Sequence, residues 1–209
     1  MLQITRSGPV FSGTEADLDR LRLQFHEQNF IRLLHFLAPE LLTIVHARLE
    51  RAQFRERIHE GIGSNKELCM EDSLTNSLLH LLLNSQSLFQ LVQAITGCVQ
   101  IGSFEGRVYR NVPDQAHYDA WHDDMVEHRL IGVSINLSTA EYSGGILQIR
   151  ERQTKRMIQE VTNVGLGDAI VFRLDSSLQH RISKVDGAVS KTAFAGWFKS
   201  EPEFLSLLK

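Results

Sequence analysis

The strongest constraint on the fold of this chain is a change of texture at Gly97. Before it, apolar residues recur three and four positions apart, the period of a helix with one buried face. After it, they come in short alternating runs cut by Gly and Asp, the period of strands. Helices first and strands afterwards imply an α+β chain rather than a regular alternation of strand and helix. Thr14 starts the first helix, with Glu15 and Asp17 in its first turn and Leu18, Leu21 and Phe25 on its buried face. Residues 30–34 are short and apolar enough for a strand. Pro39 opens a second helix through Leu42, Val45 and Leu49. A third helical region, 71–97, breaks at Asn84-Ser85 and ends at Gly97, a C-terminal cap residue. His80, inside its leucine run, reads as a core or boundary histidine. Residues 1–13 read as a loosely held arm with one short edge strand, and Gly61 and Gly63 mark a loop.

Beyond Gly97, strand patterns fall at 99–104, 106–110, 130–137, 146–150, 157–164, 169–173, 180–185 and 192–199. Ile131, Val133, Ile135 and Leu137 alternate with polar or small residues, as in a half-buried strand. So many short strands separated by turns predict a double-sheet jelly roll. With 209 residues and no sharp linker, the expectation is one domain, 1–209: helical support over 1–98 and a β core over 99–200 that carries the chemistry.

A net charge of −3 gives no electrostatic reason to bind nucleic acid. No apolar run reaches the ~20 residues needed to cross a bilayer, and the first residues lack the basic and apolar regions of a secretory signal. Two cysteines, Cys69 and Cys98, make neither a disulfide framework nor a Cys-x-x-Cys pair. The expected setting is cytoplasmic, without a membrane partner. Oligomeric state is not encoded in any of these features.

Trp121-His122-Asp123-Asp124 offers an imidazole and a carboxylate two residues apart. On an extended segment such residues face the same side. His180 lies 58 residues on (180 − 122) and supplies a second imidazole. Two histidines and one carboxylate on one face of an ion form the facial triad of non-haem Fe(II) oxygenases. The H-x-D pattern also occurs as His117 and Asp119, so a rival register exists.

From Tyr109 to Phe198 the chain resembles the Fe(II)- and 2-oxoglutarate-dependent dioxygenases, particularly the prolyl-hydroxylase-like group. The resemblance rests on elements in the family's order: His122-Asp123-Asp124, a strand leading to Gly144-Gly145-Ile146-Leu147, the turn and strand Gly167-Asp168-Ala169-Ile170-Val171-Phe172, then His180-Arg181-Ile182, and finally Ala195-Gly196-Trp197-Phe198. It implies a double-stranded β-helix core with N-terminal supporting helices. It also implies Fe(II) held by His122, Asp124 and His180, with 2-oxoglutarate and O2 as co-substrates. The later H-x-D suits the family better than His117 and Asp119, because it directly precedes the strand leading to Gly144-Gly145.

Lys191 stands near the family's cation for the distal carboxylate of 2-oxoglutarate; Lys184 and Arg181 are the rivals. Asn136 and Tyr109 resemble residues that hydrogen-bond the co-substrate. Asp124 itself favours hydroxylation or desaturation, since halogenating members lack that carboxylate. The resemblance implies an oxygenase that hydroxylates a small-molecule metabolite and releases succinate and CO2. The alternatives are a peptide or protein prolyl-hydroxylase-like enzyme and a non-catalytic, metal-binding jelly roll. Loops 114–121, 125–129, 139–143 and 151–156 are expected to border the mouth; their arginines hint at an anionic substrate group but read more simply as solvated charge. His128 is open between a substrate contact and a surface residue.

Overall fold

The computed structural model describes residues 1–59, 65–113, 117–126 and 128–201. The loop expected at Gly61 and Gly63 lies outside them, as do parts of the 114–121 and 125–129 loops. In chain order, β1 (Leu2–Thr5) and β2 (Gly8–Phe11) form a hairpin, followed by α1 (Glu15–Gln28), β3 (Phe30–Leu33) and α2 (Pro39–Leu49). Then come β4 (Phe54–His59), β5 (Asn65–Met70), α3 (Ser73–Leu83), α4 (Gln86–Thr96), β6 (Ser103–Asn111) and β7 (Arg129–Asn136). The chain continues through β8 (Ser143–Gly144), β9 (Leu147–Glu151), β10 (Met157–Val161), β11 (Ala169–Arg173), β12 (Leu178–Ile182), β13 (Val185–Asp186) and β14 (Lys191–Lys199).

Local chemistry accounts for several boundaries. Thr14 and Asp17 cap each other reciprocally at the start of α1, which satisfies two donors that a helix N-terminus leaves open. Asp72 and Ser85 accept from the first turns of α3 and α4. Gly97 closes α4 at φ +69, a left-handed conformation that costs a glycine nothing.

Seven strands form the larger antiparallel sheet in the order β3-β11-β7-β14-β6-β5-β4. A smaller sheet, β10-β9-β12, faces it, and β13-β8 makes a short ribbon. Helices cover the outer face of the large sheet. There Leu79, Leu83, Leu88, Val92 and Ile95 meet Phe104, Val108, Phe194 and Phe198 in one apolar cluster. A second cluster, Leu147, Ile149, Ile170, Phe172 and Leu178 with Trp197 at its edge, fills the space between the sheets. This is the jelly-roll architecture expected from the strand pattern, with four helices among the described residues.

Three features differ from the sequence expectation. The N-terminal arm is held fast: Leu2 and Ile4 are buried, and Ile4 exchanges backbone hydrogen bonds with Phe36 and Ala38. The N-terminal part contributes more strand than expected, because β4 and β5 join the large sheet alongside β3, which falls where a strand was expected. The strands expected at 99–104 and 106–110 are one strand, β6, running through Gly106. A Cβ there would stand 2.8 Å from the Ala195 carbonyl oxygen, so this glycine marks a close strand approach rather than a turn. Only Tyr109 and Arg110 of β6 pair with β5. Asn76 and His80 on α3 and Asn84 at its C-terminal cap, four residues apart in turn, cover the remaining edge of β6 through backbone contacts at Val108, Gly106 and Phe104.

Candidate active site

The rim of the small sheet brings His122 and His180 together. Their backbones form an isolated antiparallel bridge, His122 N to His180 O at 3.1 Å and His180 N to His122 O at 2.8 Å. Beside this bridge Trp121 faces outward, with the Arg150 and Arg181 guanidiniums 4.1 and 4.5 Å from its ring centre. Arg181 also donates to Gln148 on that outer face. The ligand segment is therefore anchored from outside while His122 and His180 face the cavity. Asp124 is not reached by continued strand alternation. It adopts φ +54, a left-handed conformation that aspartate tolerates better than most residues.

His122 Nε2 lies 3.7 Å and His180 Nε2 3.2 Å from Asp124 Oδ2. The ligand atoms of the three residues lie within 4.8 Å of one another, a spacing that could hold a metal ion. His122 Nδ1–H donates to the Ala120 carbonyl at 2.7 Å, which leaves Nε2 as the lone-pair nitrogen. Burial opposes the Asp124 anion, but hydrogen bonds and charge from both histidines outweigh it and hold the carboxyl well below the usual range. Burial likewise lowers His180; for His122 burial is the largest single cause, but the bonds to Asp124 and Ala120 together with the charges of Asp124 and Asp119 outweigh it and raise the pKa. A charged carboxylate and two inward imidazoles are a donor set that suits Fe(II).

The triad opens into a largely apolar cavity of about 130 Å³, walled by Leu147, Phe172, Ile182, Ala193, Ala195 and Trp197. Tyr109, Asp119, Glu67 and Lys191 supply polar lining. Lys191, 6% exposed, donates to the Gly145 carbonyl at 2.6 Å, and burial pushes its pKa down to about 8 against the pull of Asp119. Lys184 instead lies over the Tyr118 ring, 5.5 Å from its centre, and does not line the cavity.

The structure thus gathers five of the six residues singled out from sequence: His122, Asp124, His180, Lys191 and Tyr109. Asn136 is placed differently. It is buried outside the lining, donates from Nδ2 to Gly165 O at 3.0 Å and accepts from Ser138 N at 3.0 Å. The earlier H-x-D splits. His117 Nδ1 accepts from Val112 N, whereas the Asp119 carboxylate accepts from Ile182 N and lines the cavity. His128 is exposed and pairs with Glu201. Two arginines near the mouth are engaged in ion pairs, Arg152 with Asp123 and Arg156 with Glu151.

Sequence reasoning missed Trp197 and Arg129. The Trp197 indole N–H donates to Asp124 Oδ2 at 2.7 Å, and Arg129 donates to Oδ1 at 3.3 Å. A half-buried tryptophan needs a partner for its N–H, and that was the available signal.

Residues 106–199 match the 2OG-Fe(II) oxygenase superfamily model. None of the curated proteins compared with the chain matches it. Among solved structures, an oxidoreductase of the 2OG-Fe(II) oxygenase family from Burkholderia pseudomallei is 14% identical with a TM-score of 0.69, covering 92% of this chain and 95% of that one. A Pseudomonas putida prolyl-4-hydroxylase is 16% identical with a TM-score of 0.62, covering 87% and 98%. The non-heme alpha-ketoglutarate-dependent epimerase SnoN from nogalamycin biosynthesis is 13% identical with a TM-score of 0.60, covering 92% and 89%. The matched family segment runs from β6 to β14 and includes all three residues of the metal-binding set. Residues 106–199 of this protein therefore match the 2OG-Fe(II) oxygenase superfamily, a group of oxidoreductases that use Fe(II), 2-oxoglutarate and O2, and the matched segment carries a His-Asp-His set that could bind iron.

Proposed function

We propose that the protein hydroxylates a small-molecule metabolite, with His122, Asp124 and His180 holding Fe(II) and Lys191 receiving the distal carboxylate of 2-oxoglutarate. The supporting observation is that the triad and a buried lysine line the same cavity. Bound Fe(II), 2-oxoglutarate and O2 supply the oxidation: one oxygen atom goes into succinate as CO2 leaves, and the other into a substrate C–H bond.

The chain's own residues arrange that chemistry. The Ala120 carbonyl fixes the His122 tautomer, so no proton must leave Nε2 before it acts as a ligand. Asp124 is held as an anion. Lys191 is pre-placed, with the Gly145 carbonyl as its partner until a carboxylate arrives. Tyr109 lines the same cavity, and in this reading its hydroxyl hydrogen-bonds the co-substrate. Asn136 supports the cavity from behind by tying Gly165 to Ser138. Phe172, Leu147 and Ile182 exclude water from the reacting end.

Peptide hydroxylation is the second reading. It is favoured by Met125 and Val126, 49% and 55% exposed, directly after Asp124. A cytoplasmic setting fits the free thiols of Cys69 and Cys98.

The test is an anaerobic titration with Fe(II) and 2-oxoglutarate, followed by succinate-release screens over metabolite and peptide panels. Failure of the Fe(II)-loaded protein to bind 2-oxoglutarate overturns the oxygenase reading for this chain. Stimulation by peptides alone replaces the metabolite reading with the peptide one.

A further inference from the structure

Resting on the Fe(II) reading of the triad, we infer that Trp197 and Arg129 form a positioning pair that presents one oxygen of Asp124 to the metal and withholds the other. Asp124 sits at φ +54 outside any regular element, so its backbone alone does not aim the carboxylate. Two neighbouring strands of the large sheet do so instead. From β14, Trp197 Nε1–H donates to Oδ2 at 2.7 Å, the oxygen that faces both histidine Nε2 atoms. From the start of β7, Arg129 Nη1 donates to Oδ1 at 3.3 Å.

The two donors also support each other. The Arg129 guanidinium carbon lies 3.6 Å from the centre of the Trp197 ring, a cation–π stack. Arg129 Nε is buried without a partner among the described residues, so the guanidinium is held chiefly by Asp124 and the indole beneath it. An indole N–H only donates and a guanidinium does not deprotonate in the working pH range, so both groups remain donors to Asp124. With Oδ1 engaged, the carboxylate cannot turn to present both oxygens, and a coordination position stays available. Outer-shell partners of this kind orient ligands, and their loss typically weakens metal binding roughly 10–100-fold.

The experiment uses Co(II) as the probe, without 2-oxoglutarate or O2, on the full chain. Binding is followed by d–d absorption, and the thermal midpoint is measured with and without metal. Trp197→Phe keeps the aromatic face and removes the N–H; Arg129→Met keeps the stem and removes the charge. Each is expected to weaken Co(II) binding roughly 10–100-fold and to change the band shape, and to reduce the midpoint gain that Co(II) gives, whatever the metal-free midpoint of the variant. Arg129→Lys is expected to recover part of the loss. Because both donors act through one carboxylate, the double variant should lose less than the two single effects combined.

Parent-like affinity and band shape in Trp197→Phe and Arg129→Met overturn the pair. If Trp197→Phe fails to fold, Arg129→Met and its lysine rescue decide. Parent-like Co(II) binding in Asp124→Ala would instead overturn the metal reading beneath it.

Discussion

Replacing Lys191 by methionine should move two measurements in opposite directions. In the free protein the ammonium is buried with the Gly145 carbonyl as its hydrogen-bond partner, and burial pushes its pKa from 10.5 down to about 8. That difference corresponds to roughly 3 kcal/mol by which the folded state resists the charge. The folded pKa lies below the unfolded one, so the penalty is full below about pH 8 and is relieved as pH climbs towards 10.5. Lys191→Met removes the penalty but leaves the Gly145 carbonyl without its donor, a loss of about 1 kcal/mol. At pH 7 the metal-free variant should be more stable by about 1–2 kcal/mol. Its advantage should shrink as pH rises from 8 to 10.

The same substitution leaves a bound co-substrate carboxylate uncompensated. Breaking a buried ion pair costs ~3–5 kcal/mol, so 2-oxoglutarate binding should weaken by about two to four orders of magnitude. Lys191→Arg keeps the charge and should retain part of the affinity. In the parent, binding should weaken about tenfold between pH 8 and pH 9.5, since the ammonium must be restored before it pairs. Calorimetry on Mn(II)-loaded protein and denaturant melts across this pH range measure both effects. Parent-like 2-oxoglutarate affinity in Lys191→Met, with the loss appearing in Lys184→Met, would refute the placement of the co-substrate.

His122→Ala, Asp124→Ala and His180→Ala should each abolish Fe(II)-dependent 2-oxoglutarate turnover and lower metal content with the circular dichroism preserved; full metal occupancy in His180→Ala counts against the triad. His117→Ala should keep its metal and lose about 1–3 kcal/mol in denaturant melts, because the Val112 amide loses its acceptor. Asn136→Ala should destabilise by about 1–3 kcal/mol while changing 2-oxoglutarate affinity little, which calorimetry checks; a large affinity loss at unchanged stability would make Asn136 a co-substrate ligand after all. Gly132→Ala places a Cβ 2.2 Å from Phe172 Cζ, and the Phe172 ring lies 4.9 Å from that of His180. It should cost ~1–3 kcal/mol and loosen metal binding together, read by melts and Co(II) titration.

Features set by local physics were legible in the sequence. Thr14, Pro39, the Asn84-Ser85 break and Gly97 act within a turn or two of themselves, and the structure uses each as a helix boundary. The histidines and Asp124 were legible because metal chemistry restricts the residue types. What stayed hidden depends on partners distant in sequence. Residues 54–57 read Phe-Arg-Glu-Arg and show no apolar alternation; β4 exists because β5 pairs with it along its length. A short edge strand was legible in residues 1–13, but not that Leu2 and Ile4 would complete a core built mostly from other elements. Gly106 looked like punctuation because the Ala195 carbonyl that crowds it lies 89 positions on (195 − 106). Asn136 sat at a suggestive position, but no single position reveals that Gly165 and Ser138 claim its amide.

The peptide bridge between His122 and His180 has a bearing on how the protein matures. Two hydrogen bonds join residues 58 positions apart (180 − 122), so the imidazoles become neighbours only after β12 has docked beside β9. Closing so long a loop is entropically unfavourable until sheet contacts reward it. An ion would on this account meet a receptacle that folding has already built, rather than gather its ligands from a loose chain. In hydrogen exchange the amides of His122 and His180 should open as one unit. Chelation should leave that coupling intact, because its strength comes from the backbone rather than the ion.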